Sequence, residues 1–267
     1  MARAAIRGRL NTWQTATVAA VSSETARVRT LRLEVPGWAG PGAGQHGAGQ
    51  HGAGQHRAGQ HVDVRLTAED GYQAERAYSI ASAPGEPLAI TVELVDDGEV
   101  SPWLAREARP GDLMEVRGPI GGYFVWEPGL SAPLLLAAGG SGVVPLRSML
   151  RLRASAGSQV PVRLLYSSRS LDDVIYRAEL DAAPAGVEVI HTLTRSQPPG
   201  WTGYARRADE QMLAEVAWPA APPDGASKPL AYVCGPTSFV ETVAASLVEL
   251  GYPPVRVRTE RFGASGR

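Results

Sequence analysis

Cysteine is scarce in this sequence, and the scarcity limits the redox chemistry that the chain can carry by itself. Cys234 is the single cysteine among 267 residues. One cysteine excludes a disulfide within the chain, and it excludes an iron–sulfur cluster held by four of the chain's own thiolates. Any electrons that the chain handles must therefore leave to a separate acceptor.

Long apolar runs and a strong net charge are also lacking. The first 13 residues carry three arginines but not the run of about seven apolar residues that a signal peptide needs. No segment approaches the roughly 18 apolar residues of a membrane span. The formal net charge of -1 provides no global field for nucleic acid. We therefore predict a cytoplasmic globular protein with no nucleic-acid partner and no membrane insertion.

The spacing of apolar residues changes near residue 128. Between residues 15 and 124, short strand-like segments alternate with turn residues, which predicts a small antiparallel barrel or sandwich. After residue 128, continuous apolar strands alternate with amphipathic helical segments, which is typical of a doubly wound parallel sheet. The predicted fold is an all-β barrel of the antiparallel Greek-key type over residues 1–128. An α/β doubly wound domain follows over residues 129–267.

Individual elements are predicted from the same spacing. The strands of the first domain are expected at 17–21, 28–35, 61–66, 77–81, 88–95 and 113–116. A helix is expected over 101–108, with Ser101 as its N-cap and Pro102 at its first position. The strands of the second domain are expected at 133–138, 161–167, 187–193, 230–234 and 255–259. Its helices are expected at 144–155, 171–182, 208–218 and 238–250.

A period-five repeat occupies residues 42–61. Gly-Ala-Gly-Gln-His occurs three times and is followed by Arg57-Ala58-Gly59-Gln60-His61. A metal-binding interpretation rests on the four histidines that the repeat spaces evenly, namely His46, His51, His56 and His61. The alternative is replication slippage that lengthened one surface loop, since loop insertions cost little stability. In that case only the last copy leads into a strand.

The first chemical motif is Arg76-Ala77-Tyr78-Ser79 within strand-like sequence. Alternation along a strand places Arg76 and Tyr78 on one face and Ser79 on the other. This mixture suits a flavin, because an arginine pairs with phosphate, an aromatic ring lies against the isoalloxazine or the ribityl chain, and a hydroxyl reaches N5. Downstream, Gly98-Glu99-Val100-Ser101 opens the predicted helix and offers backbone N–H groups as a second phosphate site. Taken alone, the first motif also fits a solvated arginine beside a packed tyrosine.

The second motif is a glycine-rich turn, Gly139-Gly140-Ser141-Gly142-Val143-Val144-Pro145, between a predicted strand and a helix. This position suits a phosphate loop, but Pro145 stands where a standard Rossmann fingerprint has glycine. The next strand ends in Tyr166-Ser167-Ser168-Arg169 instead of the acidic residue that binds an NAD ribose. Arginine and hydroxyls favour the 2′-phosphate of NADPH. The alternative is that Arg169 pairs with Asp172 or Asp173.

The order of these motifs resembles the ferredoxin–NADP reductase superfamily over residues 15–263. The resemblance also uses Gly118-Pro119-Ile120-Gly121-Gly122-Tyr123-Phe124 and Cys234-Gly235-Pro236. It implies a barrel that binds FAD, less often FMN, and a sheet that binds NADPH or NADH as co-substrate. The flavin residues that it implies are Arg76, Tyr78, Ser79, Gly98, Val100, Ser101 and Phe262. The nucleotide residues that it implies are Gly139, Gly140, Ser141, Gly142, Val143, Pro145, Ser168, Arg169, Arg195, Cys234, Gly235 and Pro236.

The same resemblance implies three catalytic residues. Ser79 would reach flavin N5, Cys234 would lie near nicotinamide C4, and Glu260 would tune charge or supply a proton. Simpler structural roles are also open, because a cysteine at a buried strand end is a common packing residue and Arg195 fits an ordinary surface position. His191 lies in an apolar strand and is expected to be a core histidine with satisfied hydrogen bonds.

These observations predict a stand-alone NAD(P)H-dependent flavoprotein reductase without its own iron–sulfur domain. Hydride would pass from NAD(P)H to bound FAD, and electrons would then pass to a separate protein such as a ferredoxin or an oxygenase component. One alternative is a flavin-binding regulatory or electron-transfer subunit of a larger complex without independent turnover. A second is a histidine-rich metal-binding module.

Overall fold

The computed structural model describes residues 12–38, 56–222 and 227–262. The chain divides between Glu127 and Pro128 into two compact units, with Arg147–Leu152 grouped with the first. Within the described ranges, no helix is long and apolar enough to cross a membrane.

The first unit is an antiparallel sheet of six strands in the order β4-β3-β6-β1-β2-β5. The two outer strands of this order meet, because Ile80 bridges Ile90 and the Ala81 N–H donates to the Ala89 carbonyl at 2.8 Å. The sheet therefore closes on itself, and the predicted antiparallel barrel is confirmed. Its strands are β1 (Gln14–Thr25), β2 (Val28–Glu34), β3 (His61–Thr67), β4 (Gln73–Ser79), β5 (Ala89–Glu93) and β6 (Leu113–Ile120).

Alternating burial of successive side chains explains why these segments form strands. Val62 and Val64 on β3 are fully buried, and the residues between and beside them are partly exposed. Met114 and Val116 on β6 follow the same rule and join the same core. Each such side chain contributes about 1.5–3 kcal/mol by leaving water, which fixes the register of the sheet.

The helix expected over 101–108 differs from the prediction. Its main part is a π-type turn, Trp103–Glu107, in which the Ala108 N–H donates to the Trp103 carbonyl. The Ser101 hydroxyl does not cap it. Its Oγ lies 3.1 Å from the amide nitrogen and 3.3 Å from the carbonyl oxygen of Val95, and it bonds to both. The prediction of Ser101 as N-cap is wrong because the backbone of Val95, two residues after β5, binds the hydroxyl instead.

The second unit is a parallel sheet of five strands in the order β11-β10-β7-β8-β9. The chain runs outward from β7 to β9 and then returns to the other side of β7, so the strand order reverses between β7 and β10. The predicted doubly wound sheet is confirmed. Its strands are β7 (Leu134–Gly139), β8 (Val162–Ser168), β9 (Val187–Leu193), β10 (Leu230–Pro236) and β11 (Val257–Phe262). The helices are α1 (Val143–Ser155), α2 (Arg177–Asp181), α3 (Glu210–Val216) and α4 (Thr237–Glu249).

The helix expected over 171–182 is interrupted. A 3₁₀ turn, Leu171–Asp173, precedes the short helix α2. Tyr176 separates them with a left-handed φ of 60°, which no continuous helix accommodates. The helix expected over 208–218 shortens to α3, because the Asp209 carboxylate accepts from the Met212 N–H and starts the helix there.

The end of the repeat belongs to the barrel. His56 is 1% exposed, its Nε2 lies 2.9 Å from the Ser82 carbonyl oxygen, and its ring centroid lies 6.1 Å from that of Trp38. A Cβ at Gly59 would lie 1.9 Å from the Phe124 carbonyl oxygen. The expectation of a surface loop is therefore wrong from His56 onward, because this part of the repeat packs into the core. His46 and His51 lie outside the described residues, and no metal-binding group of three or more His, Cys, Asp or Glu occurs within them.

Candidate functional site

Strand β4 carries the predicted flavin motif at its carboxyl end. Arg76 is exposed, Tyr78 is half-buried against the barrel core, and Ser79 is 6% exposed. Burial raises the pKa of the Tyr78 phenol, so the ring keeps its proton. The strand therefore presents an exposed cation, a packed aromatic ring and a buried hydroxyl within four residues.

The Ser79 hydroxyl has no hydrogen-bond partner among the described residues. Buried polar groups in proteins are almost always paired, so an unpaired one calls for an explanation. A ligand atom that accepts a hydrogen bond explains it. The observation fits a flavin at this strand end.

Arg76 meets the predicted phosphate turn through a side chain of that turn. Its Nη2 lies 3.0 Å from Glu99 Oε2, and its Nη1 donates to the Glu75 carbonyl at 2.7 Å. The Tyr72 hydroxyl donates to Glu99 Oε1 at 2.5 Å. The structure thus brings Arg76 and the segment 98–101 together, although the Ser101 hydroxyl is already bonded to Val95.

The glycine-rich turn after β7 packs against the backbone at the carboxyl end of β10. Gly140 has a left-handed φ of 53°, and a Cβ at Gly142 would lie 2.0 Å from the Cys234 carbonyl oxygen. A Cβ at Gly235 would lie 3.0 Å from the backbone of Gly139. Only glycines permit this approach. It occurs where the strand order reverses, which is where open α/β sheets bind their ligands.

Helix α1 begins directly after this turn. Val143 and Pro145 are buried in its first turn, where the missing N–H of proline costs no hydrogen bond. Ser141 is half-exposed and is the accessible polar side chain of the turn.

Several polar residues lie together at the carboxyl ends of β8 and β9. Ser168 is 5% exposed and its Oγ has no hydrogen-bond partner in the described part of the chain. The Arg195 N–H donates to the Arg169 carbonyl at 2.8 Å, so the two exposed arginines are neighbours. Neither guanidinium forms an ion pair with a described residue. The alternative pairing of Arg169 with an aspartate is wrong, because the Ser170 hydroxyl, not Arg169, binds Asp173 at 2.6 Å.

The ends of β10 and β11 place Cys234 and Glu260 in register. Burial, and then the nearby Glu260 carboxylate, raise the pKa of the Cys234 thiol well above its usual value. Burial alone raises the pKa of Glu260 to about 7. Two residues on, Pro236 is exposed and pairs in register with the half-buried Phe262.

Family models match both halves of the chain. The model described as oxidoreductase FAD-binding domain matches residues 51–125, and the model described as oxidoreductase NAD-binding domain matches residues 136–245. The chain is 38% identical over 200 residues to "Ferredoxin--NADP reductase B" of Sorangium cellulosum, which covers 72% of this chain and 80% of that protein. The chain belongs to the ferredoxin–NADP reductase superfamily.

Another relative is longer than the region that this chain matches. The chain is 30% identical to the "Glycine betaine monooxygenase reductase subunit" of Pseudomonas aeruginosa (strain UCBPP-PA14), over 73% of this chain and 53% of that protein. The chain therefore spans about half the length of that relative. In fold it is similar to the FAD/NAD-binding domain of nitric oxide dioxygenase from Vibrio cholerae O1 biovar El Tor. The TM-score is 0.77 at 23% identity, covering 94% of this chain and 98% of that one.

Membership of the superfamily confirms four predictions made from the sequence. These are the family itself, the enzyme class of a flavoprotein oxidoreductase, FAD with NAD(P)H as co-substrate, and electron flow from NAD(P)H through flavin. The individual site residues stay predictions.

Two features of the site were missed or misjudged from the sequence. Glu99 lies inside the motif Gly98-Glu99-Val100-Ser101, and its pairing with Arg76 was missed. The signal that could have revealed it was the presence of a carboxylate in a predicted phosphate site. The prediction that the hydrogen bonds of His191 are satisfied is wrong, because its Nδ1 has no partner among the described residues. Its ring packs at 5.8 Å from that of Tyr166, whose hydroxyl accepts from the Ile175 N–H. Burial also lowers the pKa of His191.

Proposed function

We propose that this member of the superfamily takes hydride from NADPH onto FAD and passes the electrons to a separate protein, a ferredoxin or an oxygenase component, in the cytoplasm. Residues 1–128 would hold FAD and residues 129–267 would hold the nucleotide. The observation that carries the proposal is the buried, unpaired Ser79 hydroxyl at the end of the flavin strand. The relatives' names supply the two classes of acceptor.

The proposed flavin residues would bind FAD and orient its ring. Arg76 would hold phosphate oxygens through its planar guanidinium, and Tyr78 would lie against the ring or the ribityl chain. Ser79 would donate a hydrogen bond toward N5. Gly98, Val100 and Ser101 would contribute backbone groups to the phosphates, and Phe262 would cover the ring face. The bound flavin supplies the hydride acceptor and releases electrons onward.

On the nucleotide side, the turn from Gly139 to Pro145 would hold the diphosphate, together with Gly235 and Pro236. Cys234 would present a neutral thiol beside the nicotinamide, because its raised pKa prevents ionisation. Glu260 would hold or release a proton near neutral pH.

The preference for NADPH is supported by the polar residues at the carboxyl ends of β8 and β9. Ser168 offers an unpaired hydroxyl, and Arg169 and Arg195 offer guanidinium groups without a carboxylate partner among the described residues. A 2′-phosphate would satisfy all three through charge-assisted hydrogen bonds.

Anaerobic stopped-flow absorbance tests the proposal. The purified protein is mixed with NADPH or NADH while the flavin absorbance is followed. We expect both nucleotides to bleach the flavin, and NADPH to do so faster at low concentration. A yellow protein that neither nucleotide bleaches would support the regulatory-subunit alternative, and a colourless protein that takes up neither FAD nor FMN would overturn the proposal. Oxidation of the reduced protein by an added [2Fe–2S] ferredoxin then tests the acceptor.

A further inference from the structure

We infer that Glu99 is an internal competitor of the flavin phosphates for Arg76 and so sets how tightly phosphorylated flavins bind. The inference rests on the proposed function, because it takes Arg76 as the phosphate-binding arginine. It concerns a residue of the phosphate turn for which a flavin site provides no obvious use.

The geometry holds the Glu99 carboxylate on the guanidinium. Its Oε2 lies 3.0 Å from Arg76 Nη2, and its Oε1 accepts from the Tyr72 hydroxyl at 2.5 Å. The other terminal nitrogen of Arg76 donates to the Glu75 carbonyl at 2.7 Å. Both ends of the guanidinium fork are therefore engaged, and a phosphate that uses the fork must share it with the carboxylate or displace it.

Glu99 is charged at neutral pH. The Tyr72 hydroxyl, and then Arg76, lower the pKa of its carboxyl group. A carboxylate beside a diphosphate repels it, and the repulsion counts because only Arg76 offsets this charge among the described residues.

The neighbouring carboxylates behave differently. Asp96 pairs with Arg27 at 2.8 Å and with Arg106 at 3.0 Å, so arginines other than Arg76 neutralise it. Asp97 is exposed and forms no ion pair with a described residue. Asp97 is thus a matched control on the same turn, since it carries the same charge but does not contact Arg76.

The pair is also free to open. The side chains of Arg76 and Glu99 are 54% and 46% exposed, and exposed ion pairs contribute little to folding. Glu99→Gln is therefore expected to fold normally. It keeps the size of the side chain and removes the charge.

The experiment titrates the apo-protein with FAD, FMN and riboflavin and follows flavin fluorescence. For Glu99→Gln we expect the Kd for FAD and FMN to fall by about tenfold, which corresponds to about 1.4 kcal/mol. The Kd for riboflavin, which lacks phosphate, is expected to stay within about twofold. Asp97→Asn is expected to leave all three Kd values within about twofold.

A double mutant locates the effect on Arg76. In an Arg76→Gln background, Glu99→Gln is expected to leave the Kd for FAD unchanged, because the guanidinium for which Glu99 and the phosphates compete is absent. The inference is overturned if Glu99→Gln binds FAD no tighter than the wild type, if Asp97→Asn tightens FAD equally, or if the tightening persists without Arg76. A wild type that binds no flavin at all would instead overturn the proposed function.

Discussion

Cys234 and Glu260 face each other in register on the neighbouring parallel strands β10 and β11. Burial raises the pKa of Glu260 from 4.5 to about 7, whereas the pKa of Cys234 lies well above its usual value. Near neutral pH the carboxyl group is thus half-protonated and the thiol keeps its proton. The charge of the pair is controlled by Glu260.

This raised pKa predicts a falling stability with rising pH. Below about pH 4.5 both folded and unfolded states hold the Glu260 proton, and the full stability is present. Between about 4.5 and 7 the unfolded state ionises first, so the free energy of unfolding falls by up to about 3 kcal/mol and is then constant. Glu260→Gln should lack this decline. Urea unfolding of the two proteins across this pH range measures the difference.

The control is Glu249→Gln, which alters an exposed carboxylate at the end of α4. It should keep the pH profile of the wild type. Parallel profiles for the wild type and Glu260→Gln would mean that Glu260 is not buried in its proton-bearing form.

The close approach at Gly142 predicts a selective defect. In Gly142→Ala the new Cβ would lie 2.0 Å from the Cys234 carbonyl oxygen, so the backbone must move. We expect a loss of stability of about 1–3 kcal/mol and flavin reduction by NADPH slowed by about tenfold or more. FAD binding should be kept, because all of the predicted flavin residues except Phe262 lie in the first unit.

Thermal unfolding, FAD titration and stopped-flow reduction of Gly142→Ala test this expectation. Gly129→Ala is the matched control, since no heavy atom lies within 4 Å of its added Cβ. Normal nucleotide-dependent reduction in Gly142→Ala would argue against a nucleotide site at this turn.

Local sequence pattern was enough to predict that each strand exists but not all of the bounds, since the segment 77–81 shares only residues 77–79 with β4. The segment 187–193 matches β9 at both ends, and 28–35 exceeds β2 by one residue. Period-two alternation and unbroken apolar runs are local properties, and burial of those side chains is the dominant force that selects a strand. The two-part architecture follows from the same signals.

The errors came from interactions that local pattern does not record. The left-handed Tyr176 broke a helix whose periodicity was continuous, and the Ser101 hydroxyl bonded to Val95 instead of capping. The register pairing of Cys234 with Glu260 depends on β11 lying beside β10, which is a matter of strand order. The contact of Arg76 with Glu99 likewise depends on side chains from two separate segments.

The unpaired hydroxyl of Ser79 predicts a change in function without a change in stability. Ser79→Ala removes no hydrogen bond to a described residue, so the free energy of unfolding should stay within about 0.5 kcal/mol of the wild type. The rate of flavin reduction should fall by about tenfold or more, because the donor toward N5 is lost. Urea unfolding and stopped-flow reduction measure the two quantities.

Ser82→Ala provides the comparison within the same unit. Ser82 is also buried, but its Oγ accepts from the Ala89 N–H at 3.1 Å. Its loss should cost about 1–3 kcal/mol, because a buried donor is left unpaired. If Ser79→Ala destabilises as much, the Ser79 hydroxyl has a structural partner and the proposed role fails.

The paired arginines at the ends of β8 and β9 predict nucleotide preference. Arg169→Ala should raise the KM for NADPH by about tenfold to a hundredfold, the effect of one lost charge-assisted hydrogen bond, and leave the KM for NADH unchanged. Arg177→Ala is the control, because Arg177 pairs with Asp181 at 3.7 Å. Steady-state kinetics with both nucleotides decide the matter, and an unchanged ratio for Arg169→Ala would remove the NADPH preference.

Two deletions within the repeat are expected to have different effects on stability. Removing one period, residues 47–51, leaves a sequence in which a histidine still precedes Arg57, because the copies are identical. Its effect on stability should stay below about 0.6 kcal/mol, since the cost of closing a loop varies slowly with length. Removing residues 42–56 eliminates that histidine, and with it the hydrogen bond to the Ser82 carbonyl and the packing against Trp38.

The longer deletion should therefore cost about as much as the single substitution His56→Ala, roughly 1–3 kcal/mol. Urea unfolding of the three variants tests this equality, and titration with Zn²⁺ in parallel tests the metal-binding alternative. A stable long deletion that has lost Zn²⁺ affinity would show that the repeat binds metal and that His56 is dispensable to the barrel. Equal losses of stability for the long deletion and His56→Ala would show that His56 is part of the barrel core, because only the His56 side chain is missing from both.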